Sequence, residues 1–221
     1  MVWQVSLEAD LETLPDDADI QEPEPFAGPD HPIRLMTREV AFDHGWSPGR
    51  AAKVAELFDS MADGWGATHG DPVRLAPVRD GLTRGGFDLA GQWLELGSGT
   101  GSGTRILTEV VNRVTATDLS AQMLANAPAE LAPLVRSDAS NLPFPANRFD
   151  GILMVNMMLF PSEVDRVLRP GGRLLWVNTL GDQTPIHLPP TDVVDALPGA
   201  WSGVTARSGM GFWVSLGRVD D

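Results

Sequence analysis

The distribution of apolar residues after residue 86 predicts alternating strands and helices. Short apolar runs give seven predicted strands, at 92–96, 114–117, 134–137, 149–155, 173–177, 202–207 and 212–218. Helix signals follow the first, second and fourth strands, whereas the polar, Pro-rich stretch 141–147 after the third has no clear helix. Strands joined by helical crossovers form parallel sheets with helices on both faces. The last two strands are joined by a Gly-rich turn, which predicts a hairpin. The expected fold is α/β, with a doubly wound, mostly parallel, seven-stranded sheet and an antiparallel C-terminal hairpin edge.

The residues before the sheet divide into two further regions. Ser47-Pro48 and Asp71-Pro72 each place a capping side chain before a proline, which is typical of a helix start. We predict a helix after each pair, the second over 73–82 with a bend at Pro77. The expected organisation is an acidic, Pro-rich arm at 1–46, a helical cap segment at 47–85 and a ligand-binding domain at 86–221.

Negative charge is concentrated in the N-terminal arm. Nine of the chain's 30 acidic residues lie within the first 30 positions, which contain no Lys or Arg. Short extended pieces are predicted near Ile33, Leu35 and 40–42. The rest of the arm is either a solvated leader or a segment that packs on a partner subunit, and the second alternative implies a homodimer. The remainder of the chain has no basic stripe, so we expect neither a nucleic acid nor a membrane as partner.

Composition also excludes several kinds of site. The chain has no Cys, so disulfides, Cys-based metal sites and thiol catalysis are excluded, and no metal site is predicted. The first residues lack the basic region and the long apolar run of a signal peptide, and no window is long enough to span a bilayer. We therefore expect a cytoplasmic protein.

The segment from Glu95 to Gly101, Glu-Leu-Gly-Ser-Gly-Thr-Gly, joins a predicted strand to a predicted helix. Backbone N–H groups at such a helix start are free to meet a ligand. A nucleotide triphosphate loop needs a lysine after the last glycine, and the chain's single lysine is Lys53. The dinucleotide spacing G-x-G-x-x-G fits strictly in no frame. The S-adenosylmethionine pattern, acid-x-Gly-x-Gly-x-Gly, fits throughout.

A second acid, Asp118, ends the second predicted strand, roughly 20 residues after this loop. A carboxylate there can accept hydrogen bonds from both ribose hydroxyls of a nucleoside. Because NAD and S-adenosylmethionine both carry that ribose, Asp118 alone does not separate the two ligands.

Further motifs follow the glycine loop in a fixed order. They are Ala-Thr-Asp-Leu-Ser at 116–120, Asp-Ala at 138–139, Leu-Pro-Phe at 142–144, Phe-Asp at 149–150 and Arg-Val-Leu-Arg-Pro-Gly-Gly at 166–172. With the loop, they resemble the class I S-adenosylmethionine-dependent methyltransferases, in the type 11, ubiquinone-biosynthesis-like group. The resemblance covers about residues 50–178. It implies a Rossmann-like sheet, S-adenosylmethionine as cofactor and methyl transfer to a small-molecule acceptor.

The resemblance also implies a set of cofactor contacts. The loop backbone would meet the methionine and ribose, Asp118 the ribose hydroxyls and Asp138 the adenine amino group. Glu95 would hold loop amides or receive the cofactor's ammonium group. The full set is Trp65, Glu95, Gly97, Ser98, Gly99, Gly101, Asp118, Leu119, Met123, Asp138, Ala139 and Asn156.

No catalytic residue is identified. Methyl transfer is an in-line displacement whose leaving group becomes neutral, so positioning and desolvation can carry most of the rate. A base is needed only if the acceptor must lose a proton. The candidates are His44, His69, His187 and Asp59, none of which lies in a motif.

The acceptor pocket is expected to be apolar. Trp46, Trp65, Phe160 and Trp201 lie in segments with which the family covers the cofactor and builds this pocket, and aromatics suit an apolar or planar molecule. Two alternatives stay open: a protein that binds S-adenosylmethionine without turnover, and an NAD-dependent oxidoreductase.

Overall fold

The fold is built on one eight-stranded sheet. The structure, a computed structural model, describes residues 10–219. The strands are β1 (Asp10–Thr13), β2 (Gln92–Leu96), β3 (Arg113–Asp118), β4 (Leu134–Arg136), β5 (Phe149–Val155), β6 (Leu168–Asn178), β7 (Trp201–Ser208) and β8 (Gly211–Arg218). Their order across the sheet is β1-β7-β8-β6-β5-β2-β3-β4, and only β8 runs antiparallel to its neighbours. The predicted α/β class, mostly parallel sheet and C-terminal hairpin are confirmed.

The strand number and the identity of the edge were predicted wrongly. Strand β1 comes from the predicted arm and pairs in parallel with β7, from Asp10 opposite Ser202 to Thr13 opposite Thr205. The hairpin therefore does not form the edge of the sheet. The sequence gives no strand signal here, because β1 holds one apolar residue among polar ones. The strand forms because its backbone pairs with the backbone N–H and C=O groups along the otherwise open edge of β7, and not because of its own residue pattern.

Eight helices surround the sheet in the described part of the chain. They are α1 (Pro32–Phe42), α2 (Pro48–Met61), α3 (Trp65–His69), α4 (Ala76–Arg84), α5 (Ser102–Val110), α6 (Ala121–Ala125), α7 (Pro161–Val167) and α8 (Pro190–Ala196), with a 3₁₀ turn at Gly181–Gln183. None of these helices has the length and apolarity that crossing a membrane requires.

Three helices differ from the prediction, and one of them, the short α3, was not expected at all. The segment expected to hold short extended pieces is α1, whose N-cap His31 accepts a hydrogen bond from the Ile33 N–H and whose first residue is a proline. This is the same cap-plus-proline signal that predicts α2. The helix expected over 73–82 begins only at Ala76, because Pro77 occupies its first turn instead of bending its middle. The Asp71 carboxylate instead accepts N–H bonds in the preceding turn.

The core lies on both faces of the central strands. Leu94, Ile152 and Met154 pack into one cluster, while Trp93 and Leu153 pack into a second cluster on the opposite face. Burial on both faces explains why these strands are mostly apolar and do not alternate strictly between apolar and polar residues. The strand order reverses between β2 and β5, since the chain first adds β3 and β4 on one side and later β5 and β6 on the other. A ligand site is expected at the carboxyl ends of strands beside such a reversal.

Candidate active site at the carboxyl edge of the sheet

A cavity lies at this reversal point, beneath α2 and α3. Its walls come from the loop between β2 and α5 and from the residues that follow β3, β4, β5 and β6. Eleven of the twelve predicted cofactor contacts line it: Trp65, Glu95, Gly97, Ser98, Gly99, Asp118, Leu119, Met123, Asp138, Ala139 and Asn156. Gly101 does not. It is the N-cap of α5, and a Cβ there would lie 3.2 Å from Pro128, outside this cavity.

The glycine loop needs residues without a Cβ. Gly97 has φ +71° and Gly99 has φ +55°, in the left-handed region that other residues rarely adopt. A Cβ on Gly97 would lie 2.6 Å from the sulfur of Met157, and one on Gly99 would lie 3.7 Å from Trp65 Nε1. The loop thus passes directly under side chains of the cavity wall, and Gly97 leaves no room for a larger residue.

Asp118 ties the glycine loop to the end of β3. Its Oδ2 accepts the Gly99 N–H and its Oδ1 accepts the Ser120 N–H, each at 2.8 Å. Burial raises the pKa of Asp118, while the donated N–H groups oppose that rise. Each carboxylate oxygen has a second lone pair, so the group can still accept hydrogen bonds from a ligand in the cavity.

Glu95 is the most deeply buried acid of the cavity wall, with 1% of its surface exposed. Burial raises its pKa to about 8, although a hydrogen bond from Thr104 Oγ1 at 2.5 Å favours the charged form. A Cβ on Gly103 would lie 2.4 Å from Glu95 Oε1, so the first turn of α5 rests on this carboxyl group. Without a cation nearby, Glu95 is mostly protonated at neutral pH, and an arriving ammonium group would favour its ionisation.

Asp138 holds an aromatic side chain over the cavity. Trp46 Nε1 lies 3.0 Å from both Asp138 carboxylate oxygens, and the Ser140 N–H donates to Oδ1 at 2.9 Å. Trp46 in turn packs edge-on against Phe160, with 5.2 Å between ring centroids. Both rings line the cavity, so Asp138 contributes to the position of its aromatic wall.

Among the four candidate bases, only His69 lines the cavity. Its ring stacks on Trp65 with 3.6 Å between centroids, and its Nδ1 lies 3.0 Å from the Trp65 carbonyl oxygen. Burial lowers the pKa of His69, so the ring is neutral at physiological pH. Asp59 instead accepts hydrogen bonds from Ser120 and Gln122.

The other two candidates also lie elsewhere. His44 is exposed, and His187 is half-buried against Phe212, where burial lowers its pKa to about 4. Trp201, one of the four predicted pocket aromatics, is buried in the core and does not line the cavity.

Arg74 and Thr179 are among the cavity residues that the sequence reasoning missed. Two hydrogen bonds join Asn156 to Thr179 across the ends of β5 and β6. Asn156 Nδ2 donates to Thr179 Oγ1 at 2.8 Å, and the Thr179 N–H donates to Asn156 Oδ1 at 2.9 Å. Arg74 Nε lies 3.4 Å from Thr179 Oγ1, and Arg74 lines the cavity. Neither Arg74 nor Thr179 belongs to a motif, and only the three-dimensional packing brings them together.

Comparisons with known proteins agree with this geometry. A family model described as a methyltransferase domain matches residues 94–176. The demethylmenaquinone methyltransferase of Tropheryma whipplei (strain Twist) is 30% identical over 141 residues, which cover 56% of this chain and 58% of that protein. The ubiquinone/menaquinone biosynthesis C-methyltransferase UbiE of Pseudomonas savastanoi pv. phaseolicola is 31% identical over 152 residues, which cover 57% of each chain. The chain thus spans less than two thirds of either relative.

A solved structure supports the fold over a longer stretch. The complex of DhpI with SAH has a TM-score of 0.63, at 22% identity, and the match covers 77% of this chain and 97% of that one. The family model and the relatives agree with the resemblance carried by the motifs: residues 94–176 match a methyltransferase domain, and the chain is similar to the class I S-adenosylmethionine-dependent methyltransferases over that region.

Proposed function

We propose that this protein transfers the methyl group of S-adenosylmethionine to a small, apolar or planar acceptor. The observation that carries the proposal is one cavity in which the glycine loop, Asp118 and Asp138 face a wall of aromatic and methionine side chains. Because the chain spans little more than half of its relatives, the activity and substrate remain proposals for this chain.

The polar groups of the cavity fit such a cofactor. Within the described residues, the hydroxyls of Ser98, Thr100 and Ser137 are buried and have no hydrogen-bond partner in the protein. All three residues line the cavity. Buried polar groups are rarely left unpaired, so these hydroxyls favour a polar ligand at this place. The ribose and amino-acid parts of S-adenosylmethionine offer the donors and acceptors that would satisfy them.

We assign the cofactor's parts to the cavity residues by their chemistry. Asp118 would accept hydrogen bonds from the ribose hydroxyls, and Glu95 would meet the ammonium group. Leu119 and Met123 would border the adenine ring. Asp138 would accept from the adenine amino group while it holds Trp46. In this arrangement the glycine loop passes beneath the ribose and methionine.

Held by the glycine loop, Asp118 and Glu95, the cofactor would supply an electrophilic methyl group on a positively charged sulfur, and in-line transfer of that methyl to the acceptor would leave the sulfur neutral. The protein's part is to position the acceptor in line and to exclude water. For an acceptor that must lose a proton, His69 is the candidate base, because it is neutral and lines the cavity.

The acceptor side of the cavity favours apolar molecules. Trp46, Met157, Met158, Phe160 and Ile186 line it, and none of these side chains carries a charge. Aromatic and methionine side chains suit planar, polarisable ligands. The names of the two relatives make demethylated quinones, in their reduced form, the first compounds to test.

The test is methyl transfer from labelled S-adenosylmethionine to an acceptor panel that includes reduced demethylmenaquinone and cell extracts. We expect label to enter an organic-soluble product. Cofactor binding with no transfer to any acceptor would favour the alternative of a binding protein without turnover. Binding of NAD in place of S-adenosylmethionine would favour an oxidoreductase.

Two finer expectations accompany the proposal. We propose a cytoplasmic location, and the homodimer predicted from the acidic arm stays a prediction. In the described chain the arm follows β7 of its own subunit, where Leu14 N–H donates to the Thr205 carbonyl and Gln21 N–H to the Gly209 carbonyl. Light scattering on the purified protein, with and without its first 30 residues, would measure the oligomeric state and the arm's part in it.

A further inference from the structure

Arg74 has an unusual environment among the arginines of this fold. Burial lowers the pKa of three of them, Arg34, Arg74 and Arg173. Arg34 donates to the backbone carbonyls of Ala27, Asp182 and Thr184. Arg173 donates to the hydroxyl and the carbonyl of Ser215. Each of these two guanidinium groups thus has at least two acceptors in the protein, although the buried Arg34 Nε has none.

The Arg74 guanidinium is not satisfied in this way. Its only hydrogen bond within the described residues is the long one from Nε to Thr179 Oγ1, at 3.4 Å. The ion pairs found in residues 10–219 do not include it. Both terminal NH₂ groups thus keep their donors for a ligand, and a guanidinium fork is suited to bind a carboxylate with two parallel hydrogen bonds.

The charges around the cavity indicate which group of a ligand the Arg74 guanidinium would bind. Among the described residues that line the cavity, Arg74 is the one permanent cation, and the acids Glu95, Asp118 and Asp138 line the same cavity. The amino-acid part of S-adenosylmethionine carries one ammonium and one carboxylate group. An acid can meet the ammonium, but only Arg74 offers a full positive charge to the carboxylate.

Arg74 and the glycine loop line the same cavity, and the chain segment that precedes Arg74 contacts this loop. The segment just before Arg74, 66–70, packs on that loop: a Cβ on Gly66 would lie 3.3 Å from Thr100 Oγ1, and one on Gly70 would lie 4.0 Å from Ser102 Oγ. The Thr100 hydroxyl is one of the buried groups without a partner in the described protein. Ser102 begins α5, whose first N–H groups also attract anions.

We propose that Arg74 binds the carboxylate of the cofactor's methionine moiety, opposite Glu95, which binds its ammonium group. This assignment rests on the proposed function. It adds a residue from outside the sequence motifs and makes the cavity selective for the intact amino acid of the cofactor.

The test compares two ligands that differ in this one carboxylate. Affinities of S-adenosylmethionine and of decarboxylated S-adenosylmethionine are measured by calorimetry for the wild type and for Arg74→Met. We expect the wild type to bind the carboxylated ligand about 10- to 100-fold more tightly, as hydrogen bonds between charged groups suggest. In Arg74→Met this preference should disappear, because the interaction between Arg74 and the ligand carboxylate is lost. The affinity for the decarboxylated ligand, which cannot make this interaction, should change less than about twofold.

Two further variants make the result specific. Arg74→Lys keeps the charge but loses the fork, so an intermediate preference is expected, and it replaces the Met variant if that protein does not fold. Arg105→Met removes a cation from the exposed face of α5, outside the cavity, and should leave the preference unchanged.

The outcomes separate the possible failures. An unchanged preference in both Arg74 variants would overturn the assignment. Equal weakening of both ligands would also overturn it, since that result indicates a structural role. If the wild type binds neither ligand, the proposed function itself fails.

Discussion

Asp118→Ala gives a direct test of the ribose assignment. In the folded protein the Asp118 carboxylate accepts the Gly99 and Ser120 N–H groups at 2.8 Å and faces the cavity. The substitution removes both the hydrogen bonds to the loop and those proposed for the ribose hydroxyls. Two effects are therefore expected, one on the free energy of unfolding and one on cofactor affinity.

The magnitude follows from the number and kind of hydrogen bonds lost. Hydrogen bonds that involve a charged group contribute about 1.5–3 kcal/mol, less when the partner can turn to water. We expect cofactor binding to weaken by about 1–3 kcal/mol, which corresponds to about 5- to 150-fold in Kd. A comparable loss of stability without ligand is expected, because two backbone N–H groups lose their acceptor.

The matched control is Asp150→Ala. Asp150 is also a largely buried acid that accepts a backbone N–H, from Gln92 at 2.6 Å, and it pairs with Arg169. It lies at the start of β5, at the opposite edge of the sheet from the cavity. Calorimetric titration of S-adenosylhomocysteine, with thermal unfolding of each free variant, separates the two effects. The ribose assignment is refuted if both variants lose stability and neither loses affinity.

Three further predictions test other parts of the cavity. Gly97→Ala should lower the melting temperature and weaken cofactor binding, because a φ of +71° is strained for alanine and the added Cβ, 2.6 Å from the Met157 sulfur, would displace that side chain; a variant that binds normally would contradict the loop geometry. Burial raises the pKa of Glu95 to about 8, and the cofactor's ammonium group favours the ionised carboxylate. Cofactor binding below pH 8 should therefore release a proton, and the affinity should increase as the pH rises from 6 to 8. Calorimetry in buffers of different ionisation enthalpy measures the proton release. Glu95→Gln should remove that pH dependence, and its persistence would show another group to be responsible. Trp46→Phe removes the hydrogen bonds to Asp138 and should raise KM for the acceptor more than Kd for the cofactor; the reverse order would place Trp46 on the cofactor side.

The sheet was largely predictable because its central strands are buried on both faces. Mostly apolar runs such as 92–96 and 149–155 leave little ambiguity, and their predicted ends match β2 and β5. Strand β1 was not predictable in this way. It holds a single apolar residue, and it is ordered by pairing with β7, which is far away in the sequence.

The site was partly predictable for a related reason. The glycine loop, Asp118 and Asp138 lie at fixed places after parallel strands, so the strand pattern alone brings them to one edge of the sheet. Their contacts with the cofactor stay predictions. Arg74 was missed because it belongs to no motif, and because its distance to Thr179 depends on how the helical segment packs on the sheet.

The central claim is that this cavity binds S-adenosylmethionine, and a calorimetric titration of the purified wild type measures it most directly. S-Adenosylmethionine, S-adenosylhomocysteine and NAD are each titrated into the protein at one pH. The account predicts one site per chain with micromolar affinity for the first two ligands and no binding of NAD. Absence of heat with both adenosyl ligands, or saturable binding of NAD, would contradict it.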